Sequence, residues 1–210
     1  MVLTSFGIPK TRAVVLAGLL AGTLTTMASV LSCSPSPRQI AWGEREFTVF
    51  IHFGMNTFSG QEWGEGTERP RYFNPRLLNA RQWVEATRGA GASGVVLVCK
   101  HHDEFCLWPS QYTAHSVRHS PWREGRGDVV REVSDACSAA GLRFGVYLSP
   151  GDLHEPTYGT DSAAYNEFFR NQLRELLTGY GPISEVWFDR AKPSRRTQHY
   201  ECGRSALGVC

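Results

Sequence analysis

The sequence has no excess of one charge: 22 Lys and Arg stand against 20 Asp and Glu, for a net charge of +2. Nothing in that balance reads as a dedicated nucleic-acid surface. Its cysteines have neither a zinc-site spacing nor a disulfide framework. Cys33 lies near the N-terminus, Cys99 on an apolar run, Cys106 just beyond that run, Cys137 on a helical pattern, and Cys202 and Cys210 in the tail. A Gly-rich turn after the first apolar run would signal a dinucleotide fold, but His52-Phe53-Gly54-Met55-Asn56 stands there instead. That run also lacks the His-x-His pair of a metal-dependent barrel hydrolase. The apolar stretch Ala13 to Gly22 gives way to Thr23, Thr25 and Thr26, which argues against a membrane span.

What is present begins with a processing signal. Lys10 and Arg12 precede the apolar stretch and the small residues Ala28, Ser29 and Ser32 follow it, so residues 1–32 read as a secretory signal peptide. The expected location is secreted, or periplasmic and cell-envelope. Val30-Leu31-Ser32-Cys33 loosely resembles a bacterial lipobox, which leaves lipidation at Cys33 as an alternative. A Ser/Pro-rich stretch, 33–39, reads as a linker.

From there strand and helix patterns alternate. Four short apolar runs, 48–53, 94–100, 143–149 and 185–189, are continuous, as expected of parallel strands covered on both faces. Helical patterns run from about Pro75 to Ala90, from about Asp128 to Ala140, and from about Ala164 to Tyr180. Asp128 is placed as an N-cap and Gly141 as a C-terminal stop. The third pattern puts Phe168, Phe169, Leu173, Leu176 and Leu177 on one face. Such a series predicts an α/β fold with a parallel sheet, and the polar insertions after the strands favour a barrel. A full (β/α)8 TIM-like barrel takes about 250 residues, so the expectation is an incomplete one of about four βα units. It spans 40–192, and an irregular basic tail occupies 193–210. Half a barrel would leave open sheet edges and invite self-association.

Polar residues gather at the C-terminal ends of all four strands: His52; Lys100-His101-His102-Asp103-Glu104; Asp152 with His154-Glu155; and Asp189. In a barrel these ends converge on the face where chemistry occurs. Taken singly, His52 on an apolar strand reads first as a satisfied core histidine, and Asp189 reads also as the N-cap of a following helix. Together they suit metal-dependent hydrolysis, which needs several His and carboxylate ligands, or glycoside hydrolysis, which needs two carboxylates about a sugar bond. For the latter, Asp189 follows Val186-Trp187-Phe188, a rigid and dry place to hold a nucleophile.

Several of these segments together resemble glycoside hydrolase family 29, the α-L-fucosidases. They are Phe50-Ile51-His52-Phe53-Gly54-Met55-Asn56-Thr57-Phe58 with Glu62-Trp63-Gly64, Lys100-His101-His102-Asp103-Glu104-Phe105-Cys106-Leu107-Trp108, Gly145 to Pro150, and Gly181 to Asp189. The resemblance covers about 40–192. It implies a retaining mechanism with Asp189 as nucleophile, and His52, Glu62, Trp63, His101, His102 and Tyr147 as sugar-holding residues. It implies no metal or organic cofactor, and a fucosylated glycan or oligosaccharide as substrate. The Ser149-Pro150-x-Asp152-x-His154 stretch is similar to the branch acting on α-1,3/1,4-linked fucose. The family usually has Gly where this chain has Glu104, and Gly where it has Arg190, a cation that would lower the pKa of Asp189 or crowd the sugar. Its general acid/base follows the fourth strand and finds no matching position here. A truncated, inactive or merely fucose-binding fragment therefore stays open beside the active enzyme.

Overall fold

The computed structural model describes residues 34–189. The signal-like segment, Cys33, Arg190 and the tail lie outside the described residues, and so do the expectations that rest on them. Two compact units divide the chain, the first ending at Glu44 and the second beginning at Arg45. In the first, helix α1 (Pro37–Gly43) starts inside the stretch read as a linker. Its signal is local. The Ser36 hydroxyl accepts from the Gln39 N–H, the Gln39 side chain accepts from the Ser36 N–H, and Pro37 occupies the first turn.

The second unit runs β1 (Thr48–Ile51), α2 (Asn56–Ser59), α3 (Ala80–Gly89), β2 (Gly94–Lys100), α4 (Val129–Ala140), β3 (Arg143–Leu148), α5 (Ser162–Gly179) and β4 (Ile183–Trp187). The strands form one parallel sheet in the order β1-β2-β3-β4, with Val49 opposite Val95, Val95 opposite Phe144, and Phe144 opposite Ile183. A doubly wound sheet reverses its strand order at a switch point. This sheet advances by one strand at every crossover, as a barrel wall does.

Burial separates the central strands from the outer two. β2 is buried along its whole length and β3 along all but Arg143. β1 alternates and β4 is at best half-buried, because each has a neighbour on one side only. Full coverage of both faces, expected of all four runs, therefore holds for the middle pair. The core lies between the sheet and its helices, where Val95, Leu97 and Cys99 meet Val130, Val133, Leu173 and Leu176. Cys99, Cys106 and Cys137 are buried free thiols, so no bridge joins them.

The helix ends follow their caps. α4 starts at Asp128, whose side chain accepts from the Arg131 N–H, and stops at Gly141 in the left-handed conformation with φ 70°. α3 is shorter than the apolar pattern suggested. Asn79 caps it by accepting from the Gln82 N–H, which leaves Leu77 outside the helix and 94% exposed. α5 buries Tyr165, Phe169, Gln172, Leu173 and Leu176. Leu177, expected on that face, lies toward solvent at 42% exposure.

Candidate active site

Beyond the C-terminal ends of β1, β2 and β4 lies a cavity of about 540 Å³. His52, one residue past β1, His101 and His102, just past β2, and Asp189, two residues past β4, all line it. Glu62 and Trp63 reach it from the loop after β1, together with Asn56, Thr57 and Gln61. The structure thus brings together six of the seven side chains singled out from the sequence. The seventh, Tyr147, is buried in β3 and reaches the site through Asp189. His52 is exposed, which settles against its reading as a core histidine.

Two close approaches and one amide hold the loop after β1. Gly64 has φ 72°, and a Cβ there would lie 2.5 Å from the Asp103 Cβ. Gly66 has φ 75°, and its Cβ would meet the Leu153 carbonyl carbon at 2.5 Å. Only glycine fits both conformation and space, so the loop packs on the segments that follow β2 and β3. Asn56, buried at 9% exposure, donates through Nδ2 to the carbonyls of Gln61 and Glu62 at 3.1 and 2.8 Å. In the sequence Asn56 belongs to a motif that assigns it no role of its own. Its signal is a polar residue at the start of a helical turn, too common to stand out.

The histidine rings contact one another in sequence, His52 edge-on to His101 at 4.6 Å between centroids and His101 tilted against His102 at 4.3 Å, and Trp63 lies tilted beside His102 at 5.2 Å. Burial, with His102 and His52 nearby, pushes His101 down to about 3, so its ring is neutral at ordinary pH. Burial also lowers His102, against the opposing pull of Asp189. The Tyr147 hydroxyl donates to Asp189 Oδ2 at 2.8 Å. Burial first, and the carboxylate second, raise the tyrosine's pKa and keep it a donor. Among the described residues no three His, Cys, Asp or Glu side chains are disposed to hold a metal ion, which leaves the metal-hydrolase alternative without a ligand set there.

The family model described as Alpha-L-fucosidase matches residues 67–206, two thirds of the chain. This chain belongs to the alpha-L-fucosidase family. It is 52% identical over 158 residues to Alpha-L-fucosidase 1 of Arabidopsis thaliana, an alignment covering 75% of this chain and 31% of the relative. Among solved structures it is similar to a glycoside hydrolase 29 family member from an unknown rumen bacterium, with TM-score 0.73 and 52% identity over 76% of this chain and 28% of that one. It is also similar to a Ruminococcus gnavus GH29 fucosidase in complex with fucose, with TM-score 0.72 and 36% identity over 80% of this chain and 38% of that one. The chain therefore spans about a third of the length of the relatives it matches.

Not every polar strand end of this fucosidase-family chain faces the cavity. Lys100, Glu104 and Asp152 turn into the protein as a buried charge cluster. Lys100 Nζ lies 2.7 Å from Glu104 Oε2, 3.4 Å from Asp152 Oδ2 and 2.9 Å from Gln172 Oε1. Burial opposes the lysine's charge, but the two carboxylates outweigh it and raise its pKa. Asp152 Oδ1 accepts the N–H groups of His154 and Glu155, so it ties its own turn. His154 stacks on buried His115 at 4.2 Å and bonds the Gly66 carbonyl through Nδ1 at 2.7 Å. Asp103 is buried too, and burial pushes its carboxyl up to about 7. Glu104 stands in the left-handed conformation, φ 71°, a backbone geometry that favours glycine, the residue the resemblance leads one to expect at this position.

Proposed function

We propose that this chain acts as a retaining α-L-fucosidase on terminal α-L-fucose of glycans, with Asp189 as nucleophile. The observation that carries the reading is Asp189 at the cavity wall, with Tyr147 donating to Oδ2 and two neutral histidines beside it. The Asp189 carboxylate attacks the anomeric carbon, and the bond to the leaving oxygen breaks with its electron pair going to that oxygen. Water then adds at the same carbon, its proton passes to the oxygen anion released in the first step or to solvent, and the carboxylate is released. Both transition states carry positive charge on the sugar ring. Neutral His101 and His102 can hold hydroxyls without setting a cation against that charge. Trp63 offers an apolar face, and His52 and Glu62 are placed to pair with further hydroxyls.

The relatives' names support fucose as the sugar. The α-1,3/1,4 linkage rests on the likeness of residues 149–154 alone. The signal-like segment at residues 1–32 is what supports a protein outside the cell or at its envelope. The one-sided outer strands β1 and β4 would let copies associate.

The test is turnover of 4-nitrophenyl α-L-fucoside by the full chain, because nitrophenolate departs without prior protonation. Release of fucose and nitrophenol supports the proposal. Saturable fucose binding without turnover reduces the function to sugar recognition, and absence of both turnover and binding rejects the proposal.

A further inference from the structure

We propose that Ser149 is a positioning residue that locks His102 in its Nδ1–H tautomer, so that Nε2 presents a lone pair to a sugar hydroxyl beside Asp189. The sugar in that statement rests on the fucosidase reading, whereas the tautomer does not.

The argument is a count of donors and acceptors around one hydroxyl. Ser149 is fully buried, in the segment just past β3. Its single hydrogen goes to the Gly151 carbonyl at 2.7 Å. One of its lone pairs receives the Gly151 N–H at 3.1 Å. The Tyr147 hydroxyl is a further neighbour of this oxygen, but its proton goes to Asp189 Oδ2 and the serine's to the Gly151 carbonyl, so what remains toward His102 Nδ1, at 2.7 Å, is a lone pair. A contact that short needs a hydrogen between the atoms, and only the imidazole can supply it. The neutral ring then carries its proton on Nδ1 and leaves Nε2 as an acceptor.

The other side of the ring shows what that acceptor faces. Nε2 lies 3.7 Å from Asp189 Oδ2, too far for a hydrogen bond, and that oxygen already receives the Tyr147 proton. Two electron-rich atoms facing each other are mutually unfavourable. A hydroxyl entering the cavity and donating to Nε2 relieves this. His101, at 4.3 Å, and Trp63, at 5.2 Å, flank the ring and keep its plane fixed. Lys100, whose charge disfavours a second proton on the ring, lies on the buried side. The Ser149–His102 link joins residues 47 positions apart, so sequence spacing gave no hint of it.

The experiment is long-range proton–nitrogen NMR of the full 210-residue chain labelled at histidine, with and without added fucose. The expected spectrum has a protonated Nδ1 and an unprotonated, pyridine-like Nε2 for His102 at neutral pH, with the Nε2 resonance moving on addition of fucose. In Ser149→Ala the proton shifts toward Nε2, where it can pair with Asp189, and fucose binding weakens about tenfold, as losing one hydrogen bond would give. Ser149→Thr, which keeps the hydroxyl, restores the native tautomer. A native spectrum with the proton on Nε2 overturns the proposal, as does a Ser149→Ala spectrum with unchanged tautomer. Should the variants fail to fold, the native spectrum decides alone. An Nδ1–H tautomer that ignores fucose upholds the lock and rejects fucose as its ligand, so the two readings fail separately.

Discussion

The Tyr147 hydroxyl donates to Asp189 Oδ2 at 2.8 Å, tying the middle of the sheet to the residue just past its outer strand. A hydrogen bond to a charged acceptor contributes about 1.5–3 kcal/mol. Tyr147→Phe is therefore expected to lower kcat/KM roughly 10- to 100-fold. The acid limb of the pH–rate profile moves to higher pH as well, because the carboxylate loses a donor that favours its ionised form. The ring stays packed on Phe50 and His101, so the thermal midpoint changes little. An unchanged acid limb would show that this bond does not set the carboxylate's ionisation.

Trp63 is 39% exposed and lies beside His102. Trp63→Ala should weaken fucose binding by up to about tenfold, the scale of a lost aromatic contact, with little effect on stability. Calorimetric titration and a melting curve separate the two effects.

Gly64→Ala adds a Cβ at 2.5 Å from the Asp103 Cβ in a left-handed conformation. The loop must shift, and Glu62 and Trp63 shift with it. Displacements near 1 Å cost up to about 100-fold in rate, so kcat/KM should fall far more than the melting temperature. Equal losses in both would point to general unfolding.

Glu104 combines a strained backbone with a buried carboxyl. Burial, and then Asp152, push its pKa above the ordinary carboxylate range against the pull of Lys100, so between its unfolded and folded pKa values the folded protein holds a proton that the unfolded chain releases, and only above the folded value does an ionised carboxylate face Lys100. Its stability contribution is complete below the unfolded pKa and is lost as pH rises toward the folded one. Glu104→Gln removes that loss, so its melting temperature should gain on the native protein steadily with rising pH. Glu104→Gly also relieves φ 71°, about 1–2 kcal/mol, while Asp152 and Gln172 still accompany Lys100. Melting curves across pH would reveal a constant difference if the carboxyl does not titrate in the fold.

Much of this was legible in the sequence, for identifiable reasons. β2 spans 94–100 as read, because seven consecutive apolar or core-facing residues have no other use. α4 was bounded by its own cap and stop, Asp128 and Gly141. The convergence of His52, His101, His102 and Asp189 followed from strand ends sharing one face. What stayed hidden depends on partners distant in the chain. Gln172 is buried because Lys100 lies 72 residues away, and no period along α5 reveals that. Leu77 looked helical by hydrophobicity, but the cap at Asn79 overruled it. Asp103, Glu104 and Asp152 looked like site residues because composition cannot tell a buried charge cluster from an open one. Ser149 needed the hydrogen-bond count at one oxygen.

The most direct measurement is covalent capture of the nucleophile. The full chain is treated with a 2-deoxy-2-fluoro-α-L-fucosyl donor bearing a good leaving group, then digested and analysed by mass spectrometry. The account predicts one added fluorofucosyl group, located on Asp189 and absent from Asp189→Asn. An adduct on any other carboxylate, or hydrolysis of fucosides by the Asp189→Asn variant at the native rate, would contradict it.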